Sequence, residues 1–232
     1  ACRLLLPGLL DVALFVLLFL PLTGGDAQRG EALAHRRSAF GTTYAVRWVG
    51  PHAEETVEAA VRGVVDRVNA SMSTYHPDSE LSRLNRRETT TSVTVSDSLA
   101  ELLREAARLH DLTAGAFDPT VGPLVDAWGF GPAEVVEPPD PPALEAARAR
   151  VDMDRLEVFT SSVRKSDPTL QVDLSAIAKG YAVDEVSRAL RSAGIDRHLV
   201  EIGGEVRAAG QGPRGPWTIG IERPVPGPRR EV

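Results

Sequence analysis

The stretch LQVDLSAIAKGYAVDEVSRALRSAG, residues 170–194, decides the fold class, because a strand pattern passes directly into a helix pattern within it. Residues 170–174 alternate apolar and polar side chains and predict a strand. Ser175 stands where a helix would be capped, and Gly194 stands where a glycine commonly ends one. Apolar side chains recur at helical spacing between these two residues, at Val183, Val186, Leu190 and Ala193.

A β-hairpin is predicted immediately after this helix. Residues 198–202 are typical of a strand, Gly203-Gly204 of a tight turn, and residues 205–208 of the return strand. Residues 217–221 predict one further strand. Because strand and helix patterns follow one another throughout the chain, the sequence predicts a fold of class α+β with mixed strands and helices.

The first half of the chain repeats this alternation. Its clearest element is a helix over residues 54–71, because valines recur at spacings of three and four on one face. The other predicted elements are strands over residues 44–49, 92–95 and 156–159, a helix that starts at Ser96 or Asp97 and runs past Leu109, a proline-rich connection over 134–142, and a helix over 143–150.

The N-terminus carries an apolar stretch that differs from the rest of the chain. The run Val12–Leu20 is uninterrupted, but it is shorter than the roughly 20 residues that a membrane-spanning helix needs. It suits the apolar region of a signal peptide, and Gly25–Ala27 supplies small residues for cleavage. A buried core helix is the alternative. We expect residues 1–27 to be a signal peptide or membrane anchor and residues 28–37 a linker.

Composition excludes several classes of protein. The chain has 232 residues, 43% hydrophobic and 25% charged, as in a soluble globular domain. Its net charge of −6 argues against a nucleic-acid partner, which calls for concentrated Lys and Arg. Cys2 is the single cysteine, so neither a disulfide framework nor a thiolate metal site can form within one chain.

Common catalytic and nucleotide-binding signatures are absent from the sequence. It contains no Gly-x-Gly-x-x-Gly motif, Walker loop, Gly-x-Ser-x-Gly elbow or His-Glu-x-x-His motif. A standard dinucleotide fold or hydrolase is therefore not indicated. The five histidines share no metal-ligand spacing, and we expect most of them at the surface or in the core: His35, His52, His76, His110 and His198.

Two segments are rich in residues that turns and ligands both favour. The first segment, SMSTYHPDSELSRLN over residues 71–85, is either a capped loop after a helix or part of a site. The second segment, GAFDPTVGPLVDAWGFGP over residues 115–132, interleaves Phe117, Trp128 and Phe130 with glycines and prolines. Such a loop could wrap a flat ligand, and a purely structural loop is an equal alternative.

The third segment, DLSAIAKG over residues 173–180, lies where a predicted strand becomes a helix. Free amides at a helix N-terminus attract anions, and Lys179 could reach back to a phosphate. Asp173 could orient a metal or a polar group of a ligand. Gly180 inside the helix costs about 1 kcal/mol relative to alanine, which suggests close approach by another group. An ordinary structural helix start is the alternative.

Together these segments resemble the FAD:protein FMN transferases, the ApbE or thiamine-biosynthesis lipoprotein family. The resemblance covers residues 38–224, which we expect to form an incomplete transferase domain followed by an irregular tail over 225–232. The matching stretches are MSTYHPDSELSR (72–83), GAFDPTVGPL (115–124), WGFGP (128–132), DLSAIAKGY (173–181), VEIGGE (200–205) and WTIGIERP (217–224).

The resemblance implies an enzyme that binds FAD with Mg²⁺, releases AMP and leaves FMN on a threonine or serine of an acceptor protein. That acceptor would belong to a membrane redox complex, and the enzyme would be periplasmic or anchored in the inner membrane facing the periplasm. No catalytic residue is assigned. By motif position, the implied FAD contacts are Tyr75 on the flavin, then Ala116, Phe117, Asp118, Asp173 and Lys179, with Ala176 offering its carbonyl to the metal. Phe40 stands where the family usually has methionine and could pack on the adenine or flavin.

Three alternatives remain open within this interpretation. The same pocket could hydrolyse FAD to FMN and AMP, with water replacing the acceptor hydroxyl. The chain could also be a non-catalytic flavin-binding protein or an inactive fragment. The family continues past its last strand to a His-containing segment and an Asp/Thr-bearing helix, which are expected beyond Val232. We therefore expect a truncated chain that binds FAD weakly and transfers no FMN.

Overall fold

A computed structural model of the chain describes residues 32–132 and 137–220. The predicted signal peptide over 1–27, the tail over 225–232 and the centre of the proline-rich connection lie outside these residues. Mixed helices and sheets are present, as predicted. Among the described residues, no helix is both long and apolar enough to cross a membrane.

A four-stranded antiparallel sheet forms the centre of the fold, in the order β1-β2-β6-β7. Its strands are β1 (Leu33–Ala39), β2 (Thr42–Trp48), β6 (His198–Ile202) and β7 (Glu205–Ala209). Phe40 and Gly41 connect β1 to β2, both with positive φ (52° and 71°), as a two-residue type I′ hairpin turn requires. The second hairpin turns at Gly203-Gly204, as predicted.

Two long helices pack together and against this sheet, α1 (Glu54–Met72) and α6 (Ser175–Ser192). The valine stripe of α1 is fully buried, which confirms the helix predicted from its spacing. A third long helix, α3 (Asp97–Leu112), begins at Ser96, whose hydroxyl accepts a hydrogen bond from the Leu99 amide. The apolar faces of these helices meet in one continuous core.

A smaller three-stranded sheet has the order β3-β5-β4. It comprises β3 (Val93–Thr94), β4 (Leu156–Val158), which follows a 3₁₀ turn, and β5 (Ser162–Lys165). Three short helices complete the described residues: α2 (Glu80–Arg86), α4 (Gly122–Ala127) and α5 (Pro141–Arg148).

The predicted strand over residues 170–174 is wrong, and so is the cap at Ser175. The partner of β4 is instead β5, a strand that the sequence did not predict. Residues 170–174 are largely buried, as strand residues would be, but they pair with no strand. The N-cap of α6 is Leu174, and the carboxylate that bonds the exposed Ser175 amide comes from Asp173.

Three other predictions are also corrected. Residues 33–37 of the predicted linker belong to β1. Residues 217–220 of the predicted last strand are irregular, and the Trp217 indole N–H donates to the Ala209 carbonyl instead of joining a ladder. The first and second segments, for which no helix is predicted, contain α2 and α4. These helices have seven and six residues and are too short to show a helical period.

Candidate functional site

The first, second and third segments meet around residues 170–173, which we call the anchor segment. The Asn85 side-chain amide pairs with the backbone of Val172: its Nδ2 donates to the carbonyl at 2.8 Å and its Oδ1 accepts from the amide at 2.9 Å. The amide of Asp173 donates to the carbonyl of Pro119 at 2.8 Å. The anchor segment therefore carries the start of α6 into contact with both loops.

Asp173 lies buried at the N-terminus of α6. Its Oδ1 accepts a hydrogen bond from the Ser175 amide at 2.7 Å, so one of the helix's free amides is already used. Burial, and then the negative charge of Asp173, raise the pKa of the Asp126 carboxyl above its usual range. Asp126 in the second segment and Asp173 in the third are thus close enough for their charges to interact.

Exposed aromatic side chains gather where the first and second segments meet. The Tyr75 hydroxyl donates to the Phe130 carbonyl at 2.6 Å. Tyr75, Trp128 and Phe130 are 62%, 50% and 72% exposed, unusual values for large aromatic residues. We call these three residues the aromatic group. Their accessible rings can contact a flat ligand.

The start of the second segment is held by hydrogen bonds to His110 in α3 and to Thr113 directly after it. The Phe117 amide donates to Thr113 Oγ1 at 3.0 Å, and its carbonyl accepts from His110 Nδ1 at 3.0 Å. Asp118 Oδ1 accepts from the amide and hydroxyl of Thr120 at 2.7 and 2.6 Å. Phe117 packs on the core, whereas Ala116 is exposed. The ring of Phe117 is therefore less accessible than the aromatic group.

Lys179 lies one turn into α6 and contacts the β6–β7 hairpin. Its Nζ is 3.1 Å from Glu205 Oε1 and 3.5 Å from the Gly203 carbonyl oxygen. The other carboxylate oxygen, Glu205 Oε2, is buried and has no hydrogen-bond partner. The cation that the sequence predicts as a phosphate contact is thus already paired with a carboxylate.

The two hairpin turns of the main sheet meet beside Lys179. The Gly203 amide donates to the Thr43 carbonyl at 3.0 Å. A Cβ on Gly203 would lie 2.8 Å from Thr42 Cγ2, and its φ is +58°, so a side chain there would be both crowded and strained. Phe40, in the first turn, packs partly buried against the core. This arrangement places Phe40 and Lys179 at the same end of the sheet.

A groove of about 660 Å³ runs between α3 and α6 and includes Ala176, Gly180 and Glu205 in its lining. A Cβ added to Gly180 would meet no atom within 4 Å. The sequence suggested that another group lies close to Gly180, but none of the described residues does. The groove leaves the first turn of α6 accessible.

The start of α6 carries oxygen atoms of the types that a hard divalent cation binds. Mg²⁺ prefers carboxylate and carbonyl oxygens, which Asp173, Asp126 and the Ala176 carbonyl can offer. Within residues 32–132 and 137–220, no group of three or more His, Cys, Asp or Glu side chains is arranged to hold a metal. The described residues thus form no complete metal site, and the role of the Ala176 carbonyl as a metal ligand stays a prediction.

The predicted site residues form two groups that the first turn of α6 joins. Tyr75, Ala116, Phe117, Asp118 and Asp173 lie on elements that meet at the anchor segment, whereas Phe40 and Lys179 lie at the hairpin turns. Their roles as FAD contacts stay predictions. Three residues of the quoted segments received no role from the sequence. Asn85 and Glu205 make the contacts described above, and the pKa of Asp126 responds to the charge of Asp173.

Comparison with known proteins assigns the family. The model of the ApbE family matches residues 40–231. The FAD:protein FMN transferase of Vibrio cholerae is 40% identical over 218 residues, which cover 91% of this chain and 65% of that protein. The enzyme of the same name from Haemophilus influenzae is 40% identical, over 83% of this chain and 59% of the relative.

Solved structures agree with this match. The flavin transferase ApbE from Vibrio cholerae superposes with a TM-score of 0.81 over 84% of this chain and 65% of that one. The apo form of the Pseudomonas stutzeri flavinyl transferase ApbE, 33% identical, gives a TM-score of 0.79 over 85% of this chain and 67% of its own. The chain spans 65% and 59% of the lengths of the two curated relatives, less than two thirds of either. Since sequence and fold agree across most of its length, the chain belongs to the ApbE family.

Proposed function

We propose that this chain supplies the FAD-binding part of an enzyme that transfers FMN from FAD to a threonine or serine hydroxyl of an acceptor protein. The observation that carries the proposal is the arrangement around the start of α6. The first and second segments, which carry the exposed aromatic group, are hydrogen-bonded to the residues just before α6, where Asp173 lies, and Lys179 lies one turn into the helix. Relatives 40% identical to this chain are named FAD:protein FMN transferases.

The aromatic group suits the flavin ring, because exposed rings stack on flat ligands at little cost in ordering. Tyr75 is already oriented by its hydrogen bond to Phe130. Lys179 suits the pyrophosphate, to which an ammonium can donate charge-assisted hydrogen bonds. Phe40, Ala116, Phe117 and Asp118 complete the proposed FAD surface. In this assignment, each motif segment contributes to a different part of the same ligand.

The proposed reaction is a phosphoryl-group exchange without a redox change. The acceptor hydroxyl oxygen forms a bond to the phosphorus of the FMN moiety, the bond from that phosphorus to the AMP oxygen breaks, and the hydroxyl proton is released. Catalysis of such a step depends mainly on positioning and on neutralising charge. Mg²⁺, held in part by the Ala176 carbonyl and Asp173, would supply charge neutralisation. Lys179 and the start of α6 would hold the pyrophosphate.

A flavinylation assay tests this proposal. The 232-residue chain and the longest form that its gene encodes are incubated with FAD, Mg²⁺ and an acceptor domain, and a variant acceptor without the target hydroxyl is the control. We expect flavin fluorescence on the intact acceptor and an equal yield of AMP from the longest form. Free FMN with an unlabelled acceptor would identify a hydrolase, and bound but unchanged FAD would identify a flavin-binding protein.

We further propose that the protein is exported and modifies an acceptor of a membrane redox complex on the periplasmic side. The proposal rests on the apolar run Val12–Leu20 and the small residues that follow it. Cells expressing the protein from its native start should contain it in the periplasmic or membrane fraction. Deleting residues 12–20 should retain it in the cytoplasm. Wholly cytoplasmic protein with the run intact would contradict this proposal.

A further inference from the structure

The anchor segment lies in the interior and pairs with no strand, although the amides of Leu170 and Asp173 donate to the carbonyls of Asp167 and Pro119. Leu170 and Val172 are 1% exposed, and Asp173 is 9% exposed. Buried amides and carbonyls must be hydrogen-bonded, because leaving one unpaired costs about 1–3 kcal/mol. Since no strand pairs with these residues, their partners come from elsewhere in the chain.

Asn85 supplies the two hydrogen bonds that a neighbouring strand would supply. Its amide group pairs with both the N–H and the C=O of Val172, at 2.9 and 2.8 Å. Asparagine is suited to this geometry because its amide carries a donor and an acceptor side by side, as the backbone does. One side chain at the end of α2 thus replaces one rung of a β-ladder.

Lys165 supplies a second attachment from β5. Its side chain is 2% exposed, and its Nζ lies 2.8 Å from the Pro168 carbonyl oxygen and 3.3 Å from that of Leu170. The same ammonium lies 3.2 Å from the Leu84 carbonyl oxygen and 3.3 Å from that of Asn85. Burial lowers the pKa of Lys165 below its usual range. Lys165 therefore links the end of α2, which carries Asn85, to the residues at which the anchor segment begins.

We propose that Asn85 and Lys165 are positioning residues for the FAD site, which rests on the function proposed above. They hold the anchor segment in one position, so that Asp173 and the first turn of α6 lie next to the second segment. Neither side chain is proposed to touch FAD. Small displacements of groups that orient a ligand lower affinity and rate strongly, even when the displacement starts outside the site.

The test compares two variants of Asn85 with a matched control. Asn85→Asp keeps the shape but replaces the donor with a charged acceptor facing the Val172 carbonyl, and Asn85→Ala removes both groups. Asn69→Asp makes the same chemical change on α1, where the side chain makes no hydrogen bond to the described residues. All proteins are compared by circular dichroism, FAD titration and amide hydrogen exchange.

We expect both Asn85 variants to bind FAD about tenfold more weakly or worse while remaining folded. The amides of Val172 and Asp173 should exchange faster, whereas those of β6 keep their protection. Asn69→Asp should bind FAD as the unchanged chain does. A lower melting temperature with unchanged FAD affinity and unchanged exchange at Val172 would show a purely structural role and overturn the proposal.

The exchange measurement separates this inference from the proposed function. If the unchanged chain binds no FAD, the function fails, but faster exchange confined to residues 170–178 in the Asn85 variants would still support positioning. If the unchanged chain binds FAD and the Asn85 variants bind it equally well, positioning fails while the function stands. Should Asn85→Asp not fold, Asn85→Ala decides the question by the same two measurements.

Discussion

Replacing Trp48 with alanine is expected to lower the free energy of unfolding by about 3–5 kcal/mol, the usual cost of deleting a buried tryptophan. Trp48 lies in β2, an inner strand of the main sheet, and is 1% exposed. Its indole N–H donates to the His52 carbonyl at 3.1 Å, so the substitution removes both a large core volume and a hydrogen bond. Because whole domains are stable by only about 5–15 kcal/mol, the variant should lose a large fraction of its stability at 25 °C.

Urea unfolding followed by circular dichroism measures this effect without depending on tryptophan fluorescence. Trp128→Ala is the matched control, because it deletes the same side chain from a site that is 50% exposed. We expect that control to cost about 1 kcal/mol or less. An equal loss of unfolding free energy in the two variants would contradict the prediction that Trp48 stabilises the fold by its burial in the core.

Replacing Lys179 with alanine is expected to weaken FAD binding by about 1.5–3 kcal/mol, a factor of about 10 to 150. In the described structure its ammonium is paired with Glu205, at 3.1 Å. Both side chains are about one third exposed, so water screens this pair and its own contribution to stability is small. A bound pyrophosphate carries more negative charge than one carboxylate, so the ammonium should turn toward it.

The variant Glu205→Gln distinguishes this role from a structural one. It keeps the shape of the side chain and removes the competing negative charge beside Lys179. If Lys179 binds phosphate, Glu205→Gln should bind FAD at least as tightly as the unchanged chain, and Lys179→Arg should retain most of the affinity. Titration of protein with FAD, followed by flavin fluorescence, measures all three. Unchanged affinity in Lys179→Ala would assign Lys179 to holding the β6–β7 hairpin only.

The long helices and the second hairpin could be predicted from the sequence. In α1, four of the five valines recur at spacings of three and four over several turns, and such a pattern is hard to produce by chance. At the second hairpin, Gly203-Gly204 between two apolar runs predicts the turn directly, because glycine tolerates positive φ. The shorter α2 and α4 lack enough residues for a period to appear.

The motif segments were also visible in the sequence, as candidate ligand-binding loops and by their resemblance to one family. The family is confirmed by comparison, and the second and third segments do meet, through the hydrogen bond from Asp173 to Pro119. The error at residues 170–174 has a physical cause. An alternation of apolar and polar side chains looks the same in a paired strand and in an extended segment whose partners are side chains.

The order and spacing of residue types were enough to predict the long helices, the tight turn of the second hairpin and the segments that carry the family's motifs. Tertiary structure alone decided that Asn85 completes the anchor segment, that Lys165 is buried among carbonyl oxygens and that Lys179 meets Glu205. Each of these contacts joins residues far apart in the chain. Periodicity and capping report on neighbours within about one or two turns, whereas hydrogen bonds between distant groups depend on how the elements pack.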